Sequence, residues 1–335
     1  MHYRSISDLN GDIVNWITRL PKDLDLIVGI PRGGLLVANL LAVHLNLPLT
    51  DLDGLLEKRV ISGGGRLNRP VSLPSTRPLK ILVVDDIVWT GAQLEIAREK
   101  IALAELPHDI QYGVVYLHPY SAALVDHYYE KLPGNRLFEW ALLHNQYLTD
   151  ACMDIDGILC RDTTRSEDDD GDNYRRFLST VEPEFKPTWP VGWLVTSRLE
   201  KYRDLTEDWL ERHNIAYEEL IMLDVETAKE RRRTNASPQF KADVYQRTGA
   251  KIFFESSLTE ATEIANKSGR PVYSMETRQM VFPGVPPNGR RQSPLLRSRI
   301  AWVGHEMRRK GFRGTVAAVE RRVKSKLPGT RSSPP

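Results

Sequence analysis

One stretch limits the possible folds of this chain more than any other: Leu79-Lys80-Ile81-Leu82-Val83-Val84-Asp85-Asp86-Ile87-Val88-Trp89-Thr90-Gly91-Ala92-Gln93-Leu94. The unbroken apolar run from Ile81 to Val84 is the pattern of a strand buried on both faces of a parallel sheet. Asp85 and Asp86 follow at its C-terminal end, and Thr90-Gly91 opens a helix. In doubly wound α/β sheets, ligands bind beyond the carboxyl ends of the strands, where helix N-termini offer unpaired N–H groups to anions. Two adjacent carboxylates there suit the hydroxyls of a ribose, and the turn behind them suits a phosphate.

A second anion site precedes it. Spacing of apolar residues predicts a helix over Asp8 to Leu20, then a buried strand from Leu26 to Ile30, the turn Pro31-Arg32-Gly33-Gly34 and an apolar helix from Leu35 to Leu47. Glycines let backbone amides approach an oxyanion, and the helix dipole adds favourable charge. The two motifs, in this order and about fifty residues apart, resemble the pyrophosphate loop and the 5-phosphoribosyl-1-pyrophosphate (PRPP) signature of type I phosphoribosyltransferases. The resemblance implies that Asp85 and Asp86 hold the ribose hydroxyls, and that the turn Thr90, Gly91, Ala92, Gln93 and Leu94 holds the 5-phosphate. It also implies that Arg32, Gly33 and Gly34, with Mg²⁺, hold pyrophosphate. Between the motifs, Glu57 to Arg66 sets three glycines among cations, which reads as a mobile lid with a loose hairpin tip as the alternative. Lys58, Arg59 and Arg66 are its candidates for stabilising the departing pyrophosphate. Two positions depart from the family's pattern. Trp89 stands where purine-salvage members commonly carry an acid, and Gln93 replaces a hydroxyl, so purine recognition is in doubt. A strand over Gln111 to His118 follows, and Arg136 to Tyr147 closes the first domain, with Trp140 read as packing rather than as an acceptor platform.

The second half opens with Ala151-Cys152-Met153-Asp154-Ile155-Asp156-Gly157. An apolar lead-in, then two carboxylates two residues apart, suits attack on phosphorus by one and proton transfer by the other. With Trp193-Leu194-Val195-Thr196-Ser197-Arg198, Lys241 and Ile252-Phe253-Phe254-Glu255, it resembles the four motifs of the haloacid dehalogenase (HAD) superfamily of phosphohydrolases. That resemblance implies Asp154 as nucleophile, Asp156 as acid/base, Thr196 as phosphoryl ligand and Lys241 as charge neutraliser, with Lys229 as the alternative cation. It also implies Mg²⁺ on Asp154, Asp156 and Glu255, where the usual fourth-motif acid is Asp, with Glu260 as a possible second. Glu167 to Asp172 reads as a solvated acidic loop, with a second cation site as the alternative, Glu200 to His213 as a helix and Ile221 to Asp224 as a strand. This section also looks, more weakly, like the phosphatase domains of nucleic-acid end-healing enzymes. Cys152 and Cys160 read as buried small hydrophobes.

At 335 residues, 41% apolar and 27% charged, the chain can bury two cores. Leu35 to Leu47, the longest apolar run, is too short and too polar for a bilayer span. The N-terminus lacks an apolar signal segment, and two cysteines form neither a disulfide framework nor a zinc spacing, so a reducing cytoplasm is expected. The net charge of +2 hides an asymmetry: from Arg290 onward there are 13 Lys and Arg against two Glu. There, Leu295 to Val323 interleaves cations with apolar residues at helical spacing, after a linker holding Pro283, Pro286, Pro287 and Gly289. Adhesion to anionic lipid, non-specific nucleic-acid binding and a solubilising tail are the three readings.

The expected class is therefore α/β: two doubly wound parallel-sheet domains, phosphoribosyltransferase-like over 1–147 and HAD-like over 148–282, then a basic helical tail over 283–335. The resemblances imply phosphoribosyl transfer from PRPP to an acceptor, taken to be the hydroxyl of a lipid-linked glycan, and then dephosphorylation to a plain ribofuranosyl product. The expected place is the cytoplasm at the inner face of the membrane, reached through peripheral contact by the tail. Two alternatives stand beside it: a nucleobase transferase fused to a nucleotide phosphatase, and a non-catalytic PRPP or nucleotide sensor that binds nucleic acid.

Overall fold

The computed structural model describes residues 1–61 and 77–286. Residues 62–66, the second half of the Glu57–Arg66 stretch, and the basic tail from 287 onward lie outside the described residues. Met1–Gly284 form a compact unit, and a second unit, Val285–Pro335, falls almost wholly in the undescribed part.

The first half begins with β1 (His2–Arg4) and α1 (Ile6–Ile17). The helix starts two residues earlier than periodicity suggests because Ser5 and Asp8 form a reciprocal capping box. Then come β2 (Leu26–Gly29), α2 (Gly33–Leu45), β3 (Leu49–Asp51), α3 (Leu52–Leu56), β4 (Lys80–Val88), α4 (Ala92–Leu103), β5 (Asp109–Leu117), β6 (His127–Lys131) and β7 (Arg136–Phe138). Strands β3-β2-β4-β5-β6 make a parallel sheet in that order, and β1 pairs with β7 beside it. Every residue of β2 is buried, as is Ile81 to Val84 of β4, because helices cover both faces. One cluster packs Val37, Ala38 and Leu41 of α2 with Ile13 and Trp16 of α1; another packs Leu94, Ala97 and Ile101 of α4 on the opposite side.

The second half runs through β8 (Ala151–Met153), α5 (Asp172–Thr180), β9 (Val191–Leu199), α6 (Arg203–Arg212), β10 (Tyr217–Leu223), α7 (Ala228–Thr234), α8 (Ala236–Arg247), β11 (Ile252–Glu255), α9 (Leu258–Ser268), β12 (Val272–Ser274) and β13 (Gln279–Val281). Its sheet has the order β10-β9-β8-β11-β12-β13, parallel except for the last pair. The helix expected from Glu200 begins as a 3₁₀ turn, and the α-helix starts at Arg203.

Leu137, Leu143 and Leu148 join the same apolar cluster as Met153, Leu194 and Phe254 of the second sheet. Tyr3 reinforces the junction: its ring lies 5.5 Å from that of Tyr273, and its hydroxyl donates to the Arg278 carbonyl at 2.9 Å. The position between 147 and 148 thus lies between two sheets but inside one packed unit. Among the described residues no helix is long and apolar enough to cross a membrane.

Two local expectations change. β4 does not end at the acidic pair: it continues beside β5, with Ile87 opposite Tyr116 and Val88 opposite Leu117. The acidic run after β8 stays partly or fully exposed, as a solvated loop would, but it is tied down by cations and amides. Asp168 pairs with Arg231 and Arg232 of α7, Asp170 with Lys201, and Glu167 with Arg161, while Asp169 accepts from the Gly171 and Tyr174 amides at the start of α5.

Candidate functional site

The sheet of the first half brings two of the motifs together. Gly33 and Gly34 pass directly over the acidic pair: a Cβ on Gly33 would stand 2.2 Å from an Asp86 carboxylate oxygen, and one on Gly34 would stand 2.3 Å from the Val84 carbonyl oxygen. Only glycine permits this approach. The Gly34 amide donates to Asp85, which also accepts from the Asp86 amide at 2.8 Å. Burial pushes the Asp85 carboxyl up to about 9, and the neighbouring charge of Asp86 adds to the shift. Asp86 is more open, and its Oδ2 accepts the indole N–H of Trp140 at 2.5 Å. Trp140 stacks on Phe138 at 4.7 Å, so a ring read from sequence as packing also holds a site carboxylate.

Beyond β4, Gly91 turns the chain at φ +88, and a side chain there would collide with Leu124. This places the first amides of α4 at the strand end. Leu94 is buried and anchors the turn, while Thr90 and Gln93 are exposed. The first three amides of any helix lack intrahelical partners, so Ala92, Gln93 and Leu94 offer an anion cradle; Thr90 Oγ1 reaches the first of them at 3.4 Å. Trp89 is half-exposed, with the Arg136 guanidinium 3.6 Å over its ring and His118 4.5 Å away. Burial lowers Arg136 to about 10, and it pairs with no carboxylate among the described residues. Arg59 is engaged by Asp51 and Glu57 at 3.3 Å each. No hydrogen bond or ion pair joins Lys58 or Arg59 to Arg32, Gly33, Gly34, Asp85 or Asp86 among the described residues.

In the second half, Lys241 of α8 is buried at the C-terminal end of β8 and β11. Its ammonium contacts Asp154 at 2.7 Å, Glu255 at 2.8 Å and Glu260 at 2.9 Å. Burial alone would lower Lys241, but the three carboxylates outweigh it and raise it well above its ordinary value. Asp154 is raised by burial and by the charges of Glu255 and Asp156, against the pull of Lys241. Lys229, the alternative cation, is exposed on α7. Thr196 is fully buried on β9, and its Oγ1 accepts from the Arg198 amide at 3.2 Å.

Arg198, quoted within its motif but given no role by the sequence, grips Asp156: Nε to Oδ2 at 3.0 Å and Nη2 to Oδ1 at 2.7 Å. Burial pushes Asp156 up, yet the guanidinium outweighs it and holds the carboxyl below its ordinary value. The signal was period two. On a strand Thr196 and Arg198 share a face, so a site at one implies a side chain at the other. Ser237, also missed, joins Ser197 at 2.5 Å to Glu260 at 2.9 Å.

The metal assignment to Asp154, Asp156 and Glu255 does not fit this arrangement. Asp154 accepts from Lys241 and the Ile155 amide, Glu255 from Lys241 and Ser256, and both oxygens of Asp156 face Arg198. Among the described residues no three His, Cys, Asp or Glu side chains form a metal-binding group.

Residues 2–147 match the family model "Phosphoribosyl transferase domain". That segment is a phosphoribosyl transferase domain. Solved structures similar to the chain include a purine phosphoribosyltransferase from Pyrococcus horikoshii, at 22% identity over 42% of this chain and 92% of that one, with a TM-score of 0.30. A Helicobacter pylori xanthine-guanine-hypoxanthine phosphoribosyltransferase is 18% identical over 42% and 92%, TM-score 0.32. An orotate phosphoribosyltransferase from Aeropyrum pernix is 19% identical over 38% and 71%, TM-score 0.27. A comparison with curated proteins returned no match.

Proposed function

We propose that the chain transfers a 5-phosphoribosyl group from PRPP to an acceptor hydroxyl and then removes the 5-phosphate. The observation that carries the reading is the gathering of Asp154, Lys241 and Glu255 at the strand ends of a second, mostly parallel sheet packed against the transferase domain.

In the first step the bond from ribose C1 to pyrophosphate breaks, the acceptor oxygen bonds to C1, and the acceptor proton leaves to solvent. Asp86 orients the ribose hydroxyls, and the α4 amides hold the 5-phosphate. Gly33, with no side chain, lets its turn close over Asp86, and that turn is proposed to receive the pyrophosphate that PRPP brings with its Mg²⁺. Arg32 and the lid cations Lys58 and Arg59 are proposed to meet that anion when substrate is bound. In the second step Asp154 attacks phosphorus, the ribose hydroxyl departs with a proton, and water then cleaves the aspartyl phosphate. Arg198 keeps Asp156 anionic at rest, which suits it to activate that water. To donate the earlier proton it must first be raised, as an arriving phosphate dianion would do. Lys241 offsets the charge that accumulates around Asp154.

An acceptor hydroxyl is favoured over a purine because Trp89 already carries Arg136 on its ring, and no acid stands at that position to meet a base. A glycan hydroxyl, brought near by a membrane-seeking basic tail, remains the preferred acceptor. Incubation of the full chain with PRPP and pooled hydroxyl acceptors, read by mass spectrometry, tests both steps. The product gains phosphoribosyl with Asp154→Asn and ribosyl with wild type. Efficient nucleotide formation from nucleobases, with no transfer to hydroxyls, would favour the nucleobase-transferase alternative.

A further inference from the structure

Arg136 opens β7 with a part-buried guanidinium that no acid meets. Its Nη1 donates to the Leu132 carbonyl at 3.3 Å, and among the described residues the rest of the fork makes no hydrogen bond or ion pair. Burial alone shifts its acidity, with no neighbouring carboxylate pulling the other way. By contrast Arg4, Arg198 and Arg231 each hold a carboxylate. What keeps Arg136 in place is Trp89, whose ring centre lies 3.6 Å from the guanidinium carbon. A desolvated cation with an unused planar fork is suited to receive an oxyanion.

Its position ties it to the transfer site. Arg136 and Trp140 lie on one short segment that touches the PRPP motif twice: Arg136 rests on Trp89, and Trp140 donates to Asp86. Trp89 stands in the chain between Asp86, proposed to hold the ribose hydroxyls, and the Ala92, Gln93 and Leu94 amides, proposed to hold the 5-phosphate. A group bound on Arg136 is therefore a neighbour of the transferring sugar. The anions of PRPP have other places: the 5-phosphate on the α4 amides and the pyrophosphate at the Gly33 turn. The acceptor is left to supply the anion.

The surroundings suit a charged sugar. The His118 ring lies 4.5 Å from that of Trp89, and the Tyr120 ring stands 5.0 Å beyond His118 and is 92% exposed. Ser121 donates to the Trp89 carbonyl and fixes the loop that carries these rings. From the cation outward, the row Arg136, Trp89, His118 and Tyr120 ends in an open flat face on which a sugar ring can lie.

We infer that Arg136 is a specificity-determining residue of the transferase site: it binds an oxyanion carried by the acceptor, a phosphodiester or a carboxylate close to the hydroxyl that receives the ribosyl group. The inference rests on the reading of the chain as a transferase to hydroxyls and adds the charge of the acceptor.

The test follows initial rates of transfer from PRPP by the full chain, read by mass spectrometry, with three probe acceptors: methyl glucopyranoside, methyl glucopyranosyl phosphate and methyl glucopyranosiduronate. None is a phosphomonoester, so the second site does not consume them. Wild type should use at least one anionic probe with a kcat/KM about tenfold or more above that of the neutral one, and the preferred probe tells phosphodiester from carboxylate. Arg136→Gln should raise KM for that probe about tenfold or more, with kcat, the KM for PRPP and the KM for the neutral sugar within about twofold. Arg136→Lys, which keeps the charge but not the fork, should fall between. A neutral probe used as well as both anionic ones, or an unchanged KM in Arg136→Gln, overturns the inference and leaves hydroxyl transfer standing. So does a rise in the KM for PRPP as large as that for the acceptor, which would place Arg136 on the donor. No transfer to any of the three, nor to pooled hydroxyl acceptors, overturns the hydroxyl-transfer reading and this inference with it.

Discussion

Trp140 donates its indole N–H to Asp86 at 2.5 Å across 54 residues of sequence. The same ring stacks on Phe138 and lines a cavity that reaches Gly157. A carboxylate proposed to hold ribose is therefore positioned by the part of the transferase domain that packs against the second sheet.

Trp140→Phe keeps the stack and deletes the hydrogen bond. A hydrogen bond to a charged group contributes about 1.5–3 kcal/mol, so PRPP affinity should fall about tenfold to a hundredfold with little change in Tm. Calorimetric titration with PRPP measures it. Unaltered affinity would mean that Asp86 is oriented by other groups.

Asp85→Asn should stabilise the protein while impairing transfer. The native carboxyl holds its proton up to about 9, whereas an unfolded aspartate releases it near about 4. Between those values the native state binds more protons than the unfolded state, so this group makes stability fall as pH rises, by at most about 1.4 kcal/mol per pH unit. Asparagine still accepts from the Asp86 amide and removes the slope. Denaturant titrations should show wild type and variant close near pH 4 and the variant ahead near pH 8.

Much of this arrangement was legible in the sequence, and the failures have physical causes. Strands covered on both faces leave unbroken apolar runs, so β2, β4 and β11 could be read directly, and glycines forced by close approach marked Gly33, Gly34 and Gly91. The end of β4 was not legible, because its pairing past Asp86 is decided by β5. Nor was the Trp140 bond, since a side chain reaching 54 residues back leaves no periodic trace. The pairing of the acidic run was not legible because most of the cations that meet it, Lys201, Arg231 and Arg232, come from elements not adjacent to it in sequence.

Lys241→Met should be severe. It leaves Asp154, Glu255 and Glu260 facing one another, and breaking such a buried pair costs about 3–5 kcal/mol. The stranded carboxylates take up protons more readily than in the unfolded chain, so the deficit should shrink as pH falls and grow as it rises. Chemical denaturation at two pH values checks the sign, and phosphatase activity should be lost at both.

Asp168→Ala should loosen Arg231, which also donates to the Ser197 carbonyl at 2.9 Å. The pair is partly buried, so a loss of about 1 kcal/mol is expected, with a lower kcat for phosphate ester hydrolysis and a KM little changed. An unaffected kcat would confine the acidic run to a structural role.

Product mass in a PRPP reaction with pooled hydroxyl acceptors tests most directly whether the two steps occur in order on one chain. Wild type should yield ribosylated acceptor with free pyrophosphate and phosphate, and Asp154→Asn should stop at the phosphoribosylated acceptor. The same product mass from both proteins, or no transfer from PRPP to any hydroxyl acceptor, would contradict it.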